Sequence, residues 1–246
     1  MKNRIVKFAL PLIFWGSLWH ISAITVNSSF LLPGIKETFI ALYELLGKSF
    51  FYRSVALSAL RVSIGLLLGC FFGVSLAVLC HKFNLIHHIF SPFITVIRST
   101  PVTSFIVVLW IMLSGDALSI FIGFIMVMPL IWQSTLNSFD AIDKNLIEVT
   151  KVFHFSRIKK FSLLTLPSLK AFLVPAIINS VGLAWKAEIA AEIIAYTKNS
   201  IGQGINDAKY NLDTATVFAW TLVIILFSII LESCTKALLR RHKNAY

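Results

Sequence analysis

The chain is poor in charge, poor in cysteine and free of the short motifs that most soluble activities need. Only 13% of its 246 residues are Asp, Glu, Lys or Arg, against 57% that are hydrophobic. A soluble domain carries about a quarter charged residues. So little charge with so much apolar matter excludes disorder. The three cysteines, Cys70, Cys80 and Cys234, are odd in number and stand in apolar stretches, which excludes a disulfide scaffold. Neither the P-loop pattern G-x4-G-K-[ST] nor H-E-x-x-H occurs. No Ser/His/Asp or Cys/His arrangement stands out, so no catalytic residue is assigned. Low-complexity tracts and clear internal repeats are missing, and no polar piece is long enough to fold as a separate soluble domain. What remains is an integral membrane protein with a mean hydropathy of +0.83.

Acids are the scarcer charges, 11 against 22 Lys and Arg, for a net charge of +11. A nucleic-acid binder needs a solvated basic face, and most of this chain is apolar. A membrane protein instead gathers Lys and Arg on its cytoplasmic side. About 20 apolar residues cross about 30 Å of hydrocarbon. Residues 8–26, 62–80, 99–115, 117–139, 171–185 and 214–231 are runs free of Asp, Glu, Lys and Arg. With softer boundaries included they predict one all-α domain over 1–246. Its six transmembrane helices span about 6–26, 55–80, 86–115, 117–139, 169–195 and 214–235. The first run begins after Met1-Lys-Asn-Arg, a basic start that also suits a signal peptide. The lack of a small-x-small cleavage site, with Trp15, Trp19 and His20, favours a retained helix.

An inside N-terminus puts segments 1–7, 81–98, 136–170 and 232–246 in the cytoplasm. They hold 15 of the 22 basic residues and only four acids, Asp140, Asp143, Glu148 and Glu232. Everything else is electrically balanced, so the whole excess falls on one side. Both termini are then cytoplasmic. Outside, an amphipathic segment is expected over 35–52, with Phe39, Leu42, Leu45 and Leu46 at helical spacing. A loop rich in Gly, Asn and Asp is expected over 197–213.

The longest cytoplasmic stretch, 140–167, reads as two short amphipathic helices joined by a turn. Leu146, Val149 and Phe153 share one face, and Ser156 suits an N-cap. Arg157, Lys159 and Lys160 open the second helix, Phe161, Leu164 and Leu166 follow, and Pro167 is expected to end it. From physics alone, its apolar face packs on the bilayer or the bundle, or docks into the groove of a partner.

Four charges fall inside or near spans: Arg61, Lys186, Glu188 and Glu192. A charge at bilayer depth costs at least about 2.5 kcal/mol, so it faces protein or water. Glu188 and Glu192 share a helix face, whereas Lys186 points away from Glu188. An Arg61–Glu192 pair linking the second and fifth spans near an outer gate is one reading. Solvation of Glu192 at the outer interface is the other. Lys186 either lines a path or snorkels to the surface. Gly65, Gly69 and Gly73 repeat every four residues and allow close helix approach, within the chain or at a dimer seam; Ala187, Ala191 and Ala195 form a similar ridge. Pro101, Pro129 and Pro175 mark places where spans can bend. His81, His87 and His88 lack a neighbouring carboxylate or thiol ligand, so no metal site is assigned.

The cytoplasmic stretch resembles a known pattern. Glu148-Val149-Thr150-x3-His154-x9-Leu164-x-Leu166-Pro167 is similar in spacing to Glu-Ala-Ala-x3-Gly-x9-Ile-x-Leu-Pro, the EAA loop of permease subunits in bacterial ATP-binding-cassette importers. Leu31-Leu-Pro-Gly, Ser58-Ala-Leu-Arg-Val-x2-Gly65, Arg98-x2-Pro101 and Ala184-Trp-x6-Glu192 resemble the nitrate, sulfonate and taurine branch. His154 replaces the usual turn glycine, and Val149 and Thr150 replace two small alanines. The resemblance implies a type I importer permease fold with coupling helices between spans four and five, in a bacterial inner membrane. It also implies a homodimer, two ATPase subunits that bind ATP and Mg, and a periplasmic or lipid-anchored solute-binding protein. This chain itself would hold no cofactor. The rival is an ion-coupled secondary carrier using Glu188 and Glu192, for which inverted repeats are expected and none is evident.

Overall fold

The computed structural model describes residues 2–241, with side chains from 10 to 239 apart from Leu12. The side chains of Lys2, Arg4, Lys7, Arg240 and Arg241, and all of Lys243, therefore lie outside the described residues. All regular structure in that range is helical: α1 Lys2–Val26, α2 Ile35–Leu46, α3 Ser49–Lys82, α4 Asn84–Ser99, α5 Val102–Trp110 and α6 Asp116–Asp140. Then come α7 Lys144–Val152, α8 Arg157–Lys160, a π-helical turn Phe161–Thr165, α9 Leu166–Ile194, α10 Ile201–Tyr210 and α11 Thr214–Arg241.

Four stretches are long and apolar enough to cross a membrane: α3, α6, the rod Arg157–Ile194 and Thr214–Leu239. Counted as one broken span, α4 and α5, bent by 100°, make a fifth. In α1 the shorter apolar stretch is Ile13–Val26, and residues 6–9 of the expected first span lie outside the described side chains. Side chains such as Leu67, Phe71, Ile229 and Ile230 stay exposed on the outer faces of α3 and α11, as lipid-facing positions do.

Three boundaries differ from the hydropathy reading. A single third span over 86–115 is replaced by two helices. Pro101 disfavours helical backbone at Thr100, which takes φ −84° and ψ 132°. Pro129 and Pro175, by contrast, stay inside α6 and α9. The amphipathic outer segment stops at Leu46 and α3 already begins at Ser49, so 35–52 is two elements. Its Ala41 and Leu45 turn inward while Phe39, Tyr43 and Leu46 stay exposed. Lastly, Pro167 does not end a helix. It opens α9, directly after the π turn. A proline lacks an N–H and crowds the carbonyl four residues back, and it stands where the π turn already departs from the α-helical bond pattern.

The bundle is built on α3, α6 and α9. Gly65, Gly69 and Gly73 lie against α6: an added Cβ would approach Ile120 O at 2.8 Å, Val127 Cβ at 2.6 Å and Met128 O at 2.8 Å. The backbones touch because nothing separates them. Ala187 and Ala191 do the same for α9, packing with Ile106, Leu118 and Ile122. A second cluster packs Trp132 with Ala77, Ile94 and Ile97, and a third gathers on two more tryptophans. Trp185 is fully buried and donates to Ile224 O at 3.1 Å; Trp220 packs on Phe51 with ring centroids 5.3 Å apart.

Residues 197–213 hold a helix rather than a plain loop. Gly202 and Gly204 are buried in α10, where an added Cβ would run into the backbone of Glu192 or the Trp220 indole. Glycine weakens a helix by about 1 kcal/mol; here the close approach offsets that cost.

Candidate functional site

Two sites stand at opposite ends of the bundle. At one end, α3, α6, α9 and α10 converge on Arg61. Its Nη1 donates to Glu192 Oε1 at 3.0 Å, its Nε to Asp116 Oδ1 at 2.8 Å and its Nη2 to Lys198 O at 3.2 Å. Nη2 also lies 2.7 Å from Asp116 Oδ1. Ser58 stands one turn before Arg61 and donates to the Glu192 carboxylate, 2.8 Å from each oxygen. The first turn of α10 faces the same group: Gly202 N–H donates to Glu192 Oε2 at 3.3 Å, and Ile201 N–H to Ser58 Oγ at 3.1 Å. A helix N-terminus favours a negative charge. Arg61 is 4% exposed and Glu192 is 1% exposed, so Glu192 is not solvated at an interface. The guanidinium joins α3 to α6 and α9, and α10 is added through Ser58 and Glu192.

Ser58, Asp116 and the α10 amides were not named as site residues by sequence reasoning. A hydroxyl three residues before a buried Arg was a usable sign. So was an acid at the first position of an apolar helix. The α10 amides had none, because that segment read as a loop.

Glu188 shares the face of Glu192 but not its partners. It is fully buried, and neither carboxyl oxygen has a hydrogen-bond partner among the described residues. It lies in the crossing of α3 and α6, where a Cβ on Gly65 or Gly123 would collide with its Oε1. Lys186 is exposed on the opposite face of α9. No carboxylate comes within ion-pair reach of it among the described residues. Just beyond α9, the Tyr196 hydroxyl donates to Asp207, and that bond raises its pKa above the ordinary phenol value.

At the other end is the elbow formed by α7, α8 and the π turn. Asp143 caps α7 through Asn145 N–H at 2.8 Å, and Ser156 caps α8 through Lys159 N–H at 3.3 Å. Between them His154 takes φ +51°. Its N–H donates to Lys151 O at 3.1 Å, and Phe155 N–H to Thr150 O at 2.9 Å. These are the two bonds of a Schellman turn, with histidine where glycine is the easier residue. Thr150 is buried. Glu148 is exposed, as are Leu146, Val149, Val152, Phe153, Ile158 and Phe161. Leu164 and Leu166 are half-buried and Pro167 is exposed. Ser168 Oγ donates to Ser138 O and joins the elbow's base to α6. The described residues contain no cluster of His, Cys, Asp or Glu fit to hold a metal.

Comparison with known proteins shows the family and the fold. The family described as "Binding-protein-dependent transport system inner membrane component" matches residues 65–244. Relatives include the putative aliphatic sulfonates transport permease protein SsuC of Bacillus subtilis (strain 168), 23% identical over 94% of this chain and 85% of that protein. The taurine transport system permease protein TauC of Escherichia coli (strain K12) is 22% identical over 96% of this chain and 87% of its own. Among solved structures, a bacterial ABC transporter involved in the import of the acidic polysaccharide alginate aligns with a TM-score of 0.65. It is 13% identical and covers 98% of this chain and 96% of that one. The methionine ABC transporter MetNI, in an inward-facing conformation, aligns at 0.60 and 15% identity over 77% of this chain and 93% of its own. These likenesses show the fold of ABC importer permeases.

Proposed function

We propose, for a chain that belongs to the family of binding-protein-dependent transport system inner membrane components, a specific division of labour. It is the permease subunit of an ATP-driven importer, and it works as a homodimer. Two separate ATPase subunits bind ATP and Mg and engage the elbow from the cytoplasm, where both termini also lie. An extracytoplasmic binding protein delivers a small sulfonate-like solute, the class named for SsuC and TauC. The Arg61 clasp holds the outer ends of α3, α6, α9 and α10 together until the ATPases move.

One observation carries this reading. The elbow has ordered caps and a defined turn, yet Leu146, Val149, Val152, Phe153, Ile158 and Phe161 stay exposed on it. Val152 and Ile158 are 73% and 82% exposed, beside exposed Lys144, Lys151, Arg157 and Lys159. A rigid, half-apolar and basic knob suits a groove on a partner. The Glu148–Pro167 spacing adds support, because it resembles the loop that occupies such grooves.

The test is co-purification and uptake in vesicles. The intact chain should retain an ATPase and import solute with ATP. Joint substitution of Val152, Phe153 and Ile158 by Asp should release the ATPase and lower uptake at least about tenfold, as loss of a hot-spot cluster does. Attachment and uptake that survive it would end the proposal. The buried, unpaired Glu188 carboxyl is the observation that favours the ion-coupled alternative. Uptake that ignores ATP and collapses when the proton gradient is dissipated would select that alternative.

A further inference from the structure

The bend between α4 and α5 opens a cavity of about 240 Å³ against α6 and α9. Ile97, Met126, Pro129 and Leu183 supply apolar wall, and Arg98 and Thr100 supply the polar lining. The charge count on the sequence placed Arg98 at the end of a cytoplasmic segment. The structure puts it on α4, about 21 Å along the helix from Asn84 at 1.5 Å per residue. It is exposed, and its polar contact is Gln133 Oε1 at 3.4 Å. No carboxylate comes within ion-pair reach of it among the described residues. A guanidinium carried that far along an apolar span must face water or a counter-charge.

The polar groups beside it are turned onto one backbone acceptor, which leaves the guanidinium as the group aimed into the cavity. Val96 O, at the end of α4, already accepts from Thr100 N–H at 3.1 Å, Thr100 Oγ1 at 2.7 Å and Ser99 Oγ at 3.1 Å. No side chain caps the start of α5. On α9, Lys186 follows Leu183 by three residues, on the same face. It adds a second exposed cation one turn along from the cavity wall.

We infer that this cavity is a transit site for a small organic anion. Its oxyanion head pairs with Arg98, whose planar fork matches two oxygens at once. Its short body rests on Ile97, Met126, Pro129 and Leu183, and Lys186 draws the anion along α9. The inference rests on the permease reading for its place in transport and names the chemistry that the path selects.

The test uses the full chain in phosphatidylcholine nanodiscs, with its ATPase where the two co-purify. The probes are methanesulfonate and dimethyl sulfone, a neutral molecule of nearly the same shape. Calorimetry should show saturable methanesulfonate binding and dimethyl sulfone at least about tenfold weaker, as loss of a charge-assisted pair implies. Arg98→Gln should weaken methanesulfonate by at least about tenfold, and Arg98→Lys by less than Arg98→Gln, because lysine keeps the charge but loses the planar fork. Equal binding of the two probes by the wild-type chain overturns the site, whatever the variants do. So does undiminished binding by a folded R98Q chain. Either result can arise in a chain that still holds its ATPase. A chain without ATPase that still prefers the anion keeps the site and loses the permease reading.

Discussion

Arg61 faces two acids of unequal standing. The Asp116 side chain is 69% exposed, whereas that of Glu192 is 1% exposed. Removing Arg61 strands a buried carboxylate with only Ser58 and one α10 amide. Removing Glu192 leaves Arg61 its bonds to Asp116 and Lys198 O. Breaking one side of a buried pair costs about 3–5 kcal/mol when the other charge is left uncompensated. Arg61→Met should therefore sit near that range, and Glu192→Gln about 1–2 kcal/mol below it. Unfolding in detergent checks the order, and R61M with E192Q together should cost less than the sum of the two. Equal and additive losses would mean that the clasp carries no coupling. Part of it was legible in the sequence, because an in-span Arg and an in-span Glu at matching depth have few other ways to be satisfied. Asp116 was not, because an acid at a helix start reads equally well as a solvated cap.

At the scale of elements, the contact of α3 with α6 is set by glycine on both sides. The α3 repeat was visible as spacing. Its counterpart Gly123 was not, because a single glycine carries no period. Gly123 matters through Glu188, whose carboxyl fills the space a Cβ would need. Gly123→Ala should destabilise by about 1–3 kcal/mol, the range for overpacking a close contact. In a Glu188→Ala background the same change should cost less than half as much. An unchanged cost would show that Gly123 is needed for backbone approach alone. Hydropathy also hid the break in the third span, since apolar residues dominate both 89–97 and 105–113, on either side of Pro101. Proline marked a possible bend there, but the same residue type at 129 and 175 left its helix whole. Tertiary packing separates those cases, and a local pattern does not contain it. For α10 the failure ran the other way: Gly202, Gly204 and Asn206 read as turn chemistry, and burial against α9 and Trp220 made them helix.

Over the whole molecule, one rod joins the elbow to the clasp. Residues Arg157–Ile194 form a continuous helical stretch of 38 residues, about 57 Å at 1.5 Å per residue. One end carries the exposed α8 and the other carries Glu188 and Glu192. A push at the elbow therefore reaches the clasp without crossing a loop. The π turn at Phe161–Thr165 takes up one residue more than the α-helix it interrupts, and the rod continues through it. Inserting one alanine between Lys160 and Phe161, ahead of the turn, would rotate the elbow about 100° against α9. Both ends keep their own residues in that variant, so neither attachment nor the clasp is removed directly. The ATPase should still co-purify and the unfolding midpoint should hold. Uptake should fall at least about tenfold, equivalent to about 1.4 kcal/mol of lost coupling. ATP hydrolysis should continue without the stimulation that transport brings. If uptake persisted with the elbow rotated, the rod would be dispensable, and motion would have to reach the clasp through α6, by way of the Ser168–Ser138 bond at its foot.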